Sequence, residues 1–266
     1  MEVCLTPDLI HQHRLEGKLV VVVDIFRATS CIVTGLAGSH IQAIRPVSTV
    51  EECLSYGQKG YIMAGERGGI QVDGFDMGNS PLEYARLGKN SAIDTSQKVA
   101  ITTTNGSTAI LKSLAAREII IGAFLNLRAV ADYIIVQSRQ HPLRKDDSTT
   151  GGGVLIHCAG WEGRPNLEDT LFAGALIDAC AGTQGLEACG DSALLARELY
   201  RAQTSHHLQN ACVNPDLRPV ALESDHGKRL VRLGHADDVH FCMERDKYDI
   251  VPKLNGEGEI SVAPTG

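Results

Sequence analysis

The sequence predicts an α/β fold with a mostly parallel sheet, and three observations support this prediction. Short runs of β-branched residues alternate with segments of helical character along the chain. The run from Leu19 to Val23 is continuously apolar, which is typical of a strand buried on both faces. Glycine is frequent, with 27 residues, whereas aromatic residues make up only 5% of the chain. This composition favours a loop-rich α/β chain over an aromatic-packed β-sandwich.

The predicted elements follow one another in a regular rhythm. Strands are expected at residues 18–24, 40–47, 60–64, 97–103, 118–122 and 151–158. Helices are expected at residues 27–34, from 49 onward, at 105–115, 126–140 and 167–181, and over most of 190–240. Thr49 is the expected N-cap of the second helix. Residues 65–78, which are rich in glycine, are expected to form a long loop.

The length of 266 residues corresponds to one large domain or two small ones at roughly 150 residues per domain. The polar, turn-rich stretch 142–153 is the best candidate for an insertion or an internal boundary. It would divide the chain into a first α/β unit over residues 1–141 and a second over 154–266.

Charge and composition exclude several classes of function. A net charge of −7 argues against a protein that follows a nucleic-acid backbone. The apolar runs are far shorter than the ~18 residues that indicate a membrane helix, and the first residues do not resemble a signal peptide. The eight cysteines are dispersed without a CxxC pair, so we expect reduced thiols in the cytoplasm.

Three predicted strands end in polar clusters. Because α/β proteins bind ligands at the carboxyl ends of strands, these clusters should lie on one side of the molecule. The first cluster contains Asp24, Arg27 and Thr29. Asp24 suits a metal ligand, a base or a nucleophile, and Arg27 suits an anion. The alternative is structural: Asp24 caps the helix and pairs with Arg27. The second cluster, Thr104-Asn105-Gly106-Ser107, suits an anion cradle or is simply the end of a Thr-rich strand followed by a capped helix. The third cluster is Cys158-Ala159-Gly160.

The glycine-rich stretch offers both charges through Glu66 and Arg67. Its glycines allow the backbone to approach a ligand closely. Asn79 precedes a predicted helix start, with Ser80 as N-cap and Pro81 at the first position. The alternative is an ordinary surface loop.

The segment that follows Cys158 allows two chemical interpretations. Cys158 and Arg164 have the C-x5-R spacing of a cysteine phosphatase, although Pro165 stands where Ser or Thr is usual. Glu168 and Asp169 are adjacent carboxylates that suit Mg²⁺, or that simply complement a helix dipole. The histidines near the carboxyl end, including His226, are expected to be surface or helix residues.

Taken in order, these pieces resemble the 2-phosphosulfolactate phosphatase (ComB) family. The resemblance covers nearly the whole chain and rests on residues 22–30, 65–69 with 74–81, 103–107, 158–160 with 167–174, and 238–252. Met77, Ser107 and Phe172 are mild departures from the residues common in that family.

The resemblance implies two similar, intertwined three-layer α/β/α units with mostly parallel sheets. It also implies a Mg²⁺-dependent phosphoric monoester hydrolase that converts 2-phosphosulfolactate to 3-sulfolactate and phosphate, a step of coenzyme M biosynthesis. The expected partner is a small anionic phosphate ester, with no nucleic acid and no membrane; a homodimer remains open.

Our hypothesis for the site gives catalysis to Asp24 and Arg27 and places Mg²⁺ on Asp24, Glu168 and Asp169. Arg67 would hold the carboxylate or sulfonate of the substrate. The expected substrate-binding residues are Thr29, Glu66, Arg67, Asn79, Thr104, Asn105, Gly106, Ser107, Cys158 and Gly160. The alternatives are a phosphatase for another small 2-phospho acid, a metal-independent cysteine phosphatase using Cys158 and Arg164, and a non-catalytic anion-binding protein.

Overall fold

The computed structural model describes residues 1–38, 40–87, 97–140, 152–208 and 216–262. Within them lie ten strands: β1 (Glu2–Cys4), β2 (Lys18–Val23), β3 (Ile41–Pro46), β4 (Ile62–Arg67), β5 (Ile70–Gln71), β6 (Gln97–Thr102), β7 (Glu118–Gly122), β8 (Gly153–Cys158), β9 (Lys253–Leu254) and β10 (Ile260–Ser261). The predicted α/β class with a mostly parallel sheet is confirmed.

The same ranges contain ten α-helices: α1 (Ala28–Ala37), α2 (Val50–Gly57), α3 (Pro81–Leu87), α4 (Gly106–Lys112), α5 (Leu127–Gln140), α6 (Leu167–Ala179), α7 (Asp191–Leu208), α8 (Arg218–Glu223), α9 (Asp225–Arg232) and α10 (Ala236–Cys242). Two 3-10 helices cover Pro7–Gln12 and Phe124–Asn126. None of the helices in the described ranges has the length and apolar character that crossing a bilayer requires.

The ten strands form one sheet with the order β1-β8-β2-β7-β9-β10-β3-β6-β4-β5. It contains two parallel groups, β1-β8-β2-β7 and β3-β6-β4. The antiparallel pair β9-β10 joins them, because β9 pairs with β7 and β10 pairs with β3. The chain crosses from the first group to the second after β2 and returns at β7.

The predicted boundary between two units separates strands that are neighbours in the sheet. β2 precedes residues 142–153 and β8 begins at Gly153, the last of them; the two strands pair along six residues from Lys18↔Gly153 to Val23↔Cys158. Most of the predicted polar insertion lies outside the described residues. The division into units over 1–141 and 154–266 stays a prediction.

β2 lies at the centre of the first group and is buried over its whole length. Val20 to Val23 have no exposed surface, as expected for a strand covered on both faces. α4 packs near β2, while α1 packs near β3 and β7. These helices begin shortly after strands, so the first turn of α1 lies near the carboxyl end of β2 and that of α4 near the carboxyl end of β6.

The glycine-rich stretch was expected to be a long loop, but part of it forms a hairpin. β4 runs on to Arg67, and β5 returns antiparallel with the pairs Glu66↔Gln71 and Arg67↔Ile70. Gly68 and Gly69 form the two-residue turn with φ values of 61° and 85°. Two consecutive positive φ values are those of a type I′ hairpin turn, which glycine adopts without strain. The hairpin holds Glu66 at a fixed place beside the strand ends.

Candidate active site

A cleft lies at the carboxyl ends of β2, β4 and β6, with the segment after β8 and the helix α9 forming further walls. Six of the predicted site residues line it: Asp24, Arg27, Glu66, Asn79, Thr104 and Asn105. The clusters that follow β2 and β6 therefore meet at this cleft, although the antiparallel pair β9-β10 makes the two parallel groups run in opposite directions. Trp161, Glu162, His226 and Arg229 also line the cleft, although the site hypothesis did not include them.

Asp24 is the first residue beyond β2 and is only 4% exposed. Its carboxylate lies against the start of α4, where a Cβ on Gly106 would come within 2.7 Å of Asp24 Oδ2. Burial raises the pKa of Asp24 to about 7; the charge of His226 lowers it, and the charges of Glu66 and Glu168 raise it. A carboxyl group poised near neutral pH suits proton transfer or a change of ligand.

Thr29 fixes the backbone at Asp24. Its hydroxyl donates to the Asp24 carbonyl oxygen at 2.8 Å and accepts from the Asp24 N–H at 3.0 Å. The side chain has no exposed surface and does not line the cleft. Thr29 thus positions the carboxylate, and its predicted contact with substrate stays a prediction.

The turn between β6 and α4 is held by reciprocal hydrogen bonds. The Thr103 N–H donates to Ser107 Oγ, and the Ser107 N–H donates to Thr103 Oγ1, each at 3.0 Å. Ser107 is buried and turned away from the cleft, whereas Thr104 and Asn105 line it. The turn therefore presents two of the predicted polar residues and uses the third to keep its shape.

Glu66 ties the β4–β5 hairpin to this turn. Its two carboxylate oxygens accept from the Gly69 N–H at 2.6 Å and the Thr104 N–H at 2.7 Å. Arg67, by contrast, is exposed, and its guanidinium group donates to Glu66 O, Thr102 O and Thr102 Oγ1. Arg67 does not line the cleft, because successive strand residues point to opposite faces.

The structural alternative expected an ion pair between Arg27 and Asp24. The partner of Arg27 is Asp238 instead. Arg27 Nη1 donates to Asp238 Oδ2 at 2.5 Å, and Nη2 donates to Gly69 O at 3.1 Å. Ser80 Oγ donates to the other Asp238 oxygen at 2.6 Å. Arg27 and Asp238 are each 2% exposed. Asp238 therefore fixes the guanidinium plane of Arg27 at the cleft wall.

Asp169 connects the ends of β2 and β8. Its Oδ1 accepts from the Ile25 N–H at 2.8 Å, and its Oδ2 accepts from the Gly160 N–H at 3.1 Å and from Asn166 Nδ2 at 3.0 Å. The side chain has no exposed surface. Burial, with the charges of Asp24 and Glu168, raises the pKa of Asp169 above its usual range. Asn166, the N-cap of α6, completes this clamp by accepting from the Asp169 N–H at 3.0 Å.

Glu168 faces His226, which is a helix residue of α9, one of the two expectations for it, and is buried there. His226 is 8% exposed, and its Nδ1 lies 2.8 Å from Glu168 Oε1. An ionised carboxylate only accepts, so Nδ1 carries the hydrogen in this pair. The His226 ring stacks on Trp161, with centroids 5.4 Å apart, and meets Phe26 edge-on. His226 is thus part of the cleft wall, and Glu168 is reached from the cleft through this hydrogen-bonded contact.

Arg229 lies one turn further along α9 than His226, at the i+3 position that shares a helix face. It lines the cleft, and its Nη2 donates to Gly68 O at 2.8 Å. The sequence signal for this face was the serine cap at Ser224 followed by polar residues at 226 and 229. Ser224 Oγ does accept from the Gly227 N–H at 2.9 Å.

Cys158 and Arg164 do not form the loop of a cysteine phosphatase. Cys158 has no exposed surface, and burial together with the nearby Asp169 charge raises the pKa of its thiol well above 9.0. Arg164 is exposed and belongs to a tight turn in which the Trp161 N–H donates to the Arg164 carbonyl at 2.8 Å. A buried neutral thiol is a poor nucleophile, so this geometry disfavours the thiolate alternative.

A magnesium ion with few protein ligands fits Asp24, which lines the cleft, and Glu168, which contacts the lining residue His226. Within the described ranges, no group of three or more His, Cys, Asp or Glu side chains is placed to hold a metal. Glu168 Oε2, however, is buried without a hydrogen-bond partner, and the Glu168 charge acts on Asp24. Mg²⁺ commonly takes one or two carboxylates, with water and substrate oxygens as its other ligands. Asp24 and Glu168 fit this pattern, whereas both Asp169 oxygens already accept N–H groups.

Fold and cleft together define an α/β protein with a small polar site built from carboxylates and guanidinium groups at strand ends. The family model for 2-phosphosulpholactate phosphatase matches residues 4–257. The chain therefore belongs to the 2-phosphosulpholactate phosphatase family, and the resemblance found in the sequence is confirmed.

Individual relatives agree with this family assignment. A probable 2-phosphosulfolactate phosphatase of Thermotoga petrophila is 36% identical over 240 residues, which cover 90% of each chain. The protein of the same name from Caldanaerobacter subterraneus subsp. tengcongensis is 34% identical over 253 residues, or 94% of this chain and 92% of the relative. One from Clostridium beijerinckii is 31% identical over 265 residues, or 98% of each chain.

Proposed function

We propose that this protein hydrolyses the phosphate monoester of 2-phosphosulfolactate with Mg²⁺, releasing 3-sulfolactate and phosphate. The observation that carries the proposal is the cleft that joins Asp24, with its pKa near 7, to the wall containing Arg27 and Arg229. Membership of the family and the names of the relatives support the same substrate. By the same resemblance we assign the reaction to coenzyme M biosynthesis.

The size of the cleft favours a small substrate. Its cavity volume is about 70 Å³, well below the ~300–1,000 Å³ of typical sites for drug-sized ligands. A phosphate ester of a three-carbon acid suits such a space, and the other small 2-phospho acids remain the nearest alternatives. The described cysteines are free thiols, which supports a reducing compartment such as the cytoplasm.

Hydrolysis of a phosphate monoester needs neutralisation of the phosphoryl oxygens and an oriented nucleophile. Arg27 supplies a guanidinium group whose orientation is fixed by Asp238. Because the side chain is already ordered, less conformational entropy is lost when the substrate binds. Asp24 either attacks phosphorus itself or takes a proton from the attacking water. One P–O bond forms to the nucleophile, and the bond to the ester oxygen breaks with its electron pair on that oxygen, which takes up a proton. If Asp24 is the nucleophile, water then attacks the phosphorus of the resulting acyl phosphate, the bond to the Asp24 oxygen breaks, and phosphate leaves with the carboxylate restored.

Asp24 and Glu168 would hold Mg²⁺, since one oxygen of Glu168 lacks a donor and the Glu168 charge acts on the Asp24 carboxyl. The ion supplies charge neutralisation for the phosphoryl group and the leaving oxygen. His226 would orient Glu168 through its Nδ1–H, as outer hydrogen bonds orient metal-binding carboxylates. Asp169 and Thr29 would act through the backbone that they hold.

One assay tests the proposal against its alternatives. The purified protein is given 2-phosphosulfolactate and an aryl phosphate, with Mg²⁺ or with EDTA, beside Asp24→Asn and Cys158→Ser. We expect Mg²⁺-dependent turnover that Asp24→Asn abolishes and Cys158→Ser retains. Activity that survives EDTA but is lost in Cys158→Ser would establish the cysteine mechanism instead. Anion binding without any turnover would indicate a non-catalytic protein, and turnover of other esters alone would remove the substrate assignment.

A further inference from the structure

We propose that Arg229 binds a second acidic group of the substrate, so that the site selects phosphate esters carrying a further oxyanion. This inference rests on the proposed function and adds a specificity-determining residue to it. The shared chemistry is a sulfonate or a carboxylate, either of which accepts two parallel hydrogen bonds from a guanidinium group. From the sequence alone, Arg67 was the residue expected to bind this group.

Helix α9 forms a rigid wall of the cleft. Ser224 caps the helix through the Gly227 N–H, and Leu230 is buried in the core. His226, Arg229 and Leu230 follow the i, i+3, i+4 spacing of one helix face, and all three line the cleft. The backbone of Arg229 is therefore held in place before a substrate binds.

The Arg229 side chain has a neutral hydrogen-bond partner. Its Nη2 donates to the Gly68 carbonyl at the tip of the hairpin, and this neutral acceptor does not cancel the positive charge. Among the residues that the structure describes, no carboxylate forms an ion pair with Arg229. Arg27, the other arginine of the cleft, is instead compensated by Asp238 at 2.5 Å.

The lining of the cleft contains several carboxyl groups. Asp24, Glu66 and Glu162 place carboxyl groups in the lining, and the whole chain has a net charge of −7. A substrate with a phosphate and another acid is repelled at long range, so it must be held by local cations. Arg67 cannot serve here because its guanidinium group is used on Thr102, outside the cleft.

The test compares substrates that differ in their acidic groups: 2-phosphosulfolactate, 2-phospholactate, which lacks the sulfonate, and phenyl phosphate, which lacks both acids. For Arg229→Gln we expect kcat/KM on 2-phosphosulfolactate to fall by about 10- to 100-fold, the effect of losing a hydrogen bond between charged groups. The loss should fall mainly in KM, as for uniform binding. Turnover of phenyl phosphate should stay within about threefold of wild type.

The comparison of the two acidic substrates shows which group Arg229 binds. A loss on 2-phosphosulfolactate alone identifies the sulfonate, and an equal loss on 2-phospholactate identifies the carboxylate. Arg229→Lys, which keeps a charge but not the two-pronged geometry, should recover part of the affinity. Arg232→Gln is the matched control, since Arg232 is exposed in the last turn of the same helix and does not line the cleft.

Three outcomes would overturn the inference. They are an equal loss on phenyl phosphate, no loss on 2-phosphosulfolactate, and a loss found in Arg67→Gln but not in Arg229→Gln. Calorimetric binding of 3-sulfolactate gives a readout that needs no turnover. If the wild-type protein hydrolyses no ester, the proposed function fails, while weaker 3-sulfolactate binding by Arg229→Gln still supports this inference and equal binding overturns it.

Discussion

Two neighbouring strands of the sheet end in residues able to attack phosphorus, and the structure treats them very differently. β2 leads to Asp24 and β8 ends at Cys158, with Val23 and Cys158 as direct partners in the ladder. Asp24 lines the cleft, whereas Cys158 has no exposed surface. A distance of one residue along paired strands therefore separates a reactive position from a core position.

The physical cause is the point at which the chain leaves the ladder. Cys158 is still paired, and the next residue, Ala159, donates its N–H to Val23 O at 2.7 Å. Asp24 lies beyond the last paired residue of β2, where the chain turns toward α1. The residue type and the strand end suggest chemistry in both places, but only the residue beyond the ladder can meet a ligand.

The largest expected effect comes from exchanging the reactive group at each strand end. Asp24→Asn should reduce kcat on 2-phosphosulfolactate by at least about 10³-fold, because the amide cannot attack, act as a base or hold Mg²⁺ well. Cys158→Ala should stay within about threefold of wild type, since only packing is changed. Steady-state kinetics on both variants measures this; comparable losses would end the distinction between the strand ends.

A second prediction concerns the histidines associated with the two regions. His226→Gln should raise the Mg²⁺ concentration for half-maximal activity by about 10- to 100-fold, because Glu168 loses the donor that orients it. His157, which precedes Cys158 and contacts Ser113 Oγ at 2.8 Å, is the matched control. Its change to Gln should lower thermal stability but leave the Mg²⁺ requirement unchanged. A Mg²⁺ titration of activity decides, and identical requirements for the two variants would contradict the role of His226.

A third prediction is that the reactive strand end costs stability. Burial raises the pKa of Asp24 from 3.8 to about 7, so between about pH 4 and 7 the folded protein keeps a proton that the unfolded chain has lost. The contribution of Asp24 to the stability of the metal-free protein should therefore fall as the pH rises through this range and change no further above it.

Asp24→Asn removes this penalty. In EDTA at pH 8 the variant should melt at least about 3 °C above wild type, at roughly 2–4 °C per kcal/mol for a chain of this size. The difference should disappear below about pH 4. Thermal unfolding followed by circular dichroism across this pH series measures it, and a constant difference at all pH values would assign the effect to something other than ionisation.

The smallest effect is expected for thiol labelling of the folded protein. Cys158 should resist iodoacetamide because it is buried and its thiol pKa is raised. Cys189, which is exposed, should react readily and serves as the internal standard. Mass spectrometry of peptides before and after unfolding gives the two rates; rapid labelling of Cys158 in the native state would return it to the list of candidate nucleophiles.

The sequence predicted those parts of the fold that depend on local patterns. β2 was recognisable because its apolar run is continuous, and the start of α3 because Pro81 follows Asn79 and Ser80. β1, β9 and β10 contain only two or three residues, too few for a periodic pattern. The hairpin at Gly68-Gly69 was read as a loop, although two glycines between short strands are a known hairpin signal.

The site was predicted where one strand end supplies both the residue and its direction. Asp24 and Asn105 belong to this group. His226 and Asp238 were missed because their partners are distant in sequence: Glu168 lies 58 residues from His226, and Arg27 lies 211 residues from Asp238. In the sequence, Arg67 and Arg229 are equally suitable for binding an anion. The alternation of side chains along β4 turns Arg67 away from the cleft, whereas the position of Arg229 on α9 places it in the lining.

The order of the strands also affects how this protein is made. The Ile25 N–H finds its acceptor on Asp169, 144 residues later, and Arg27 finds Asp238 later still. During synthesis the four valines of β2 leave the ribosome long before β7 and β8 can cover them, and contacts of such sequence separation form slowly. The pocket is therefore among the last parts of the molecule to be completed, and catalytic activity would report that folding has finished.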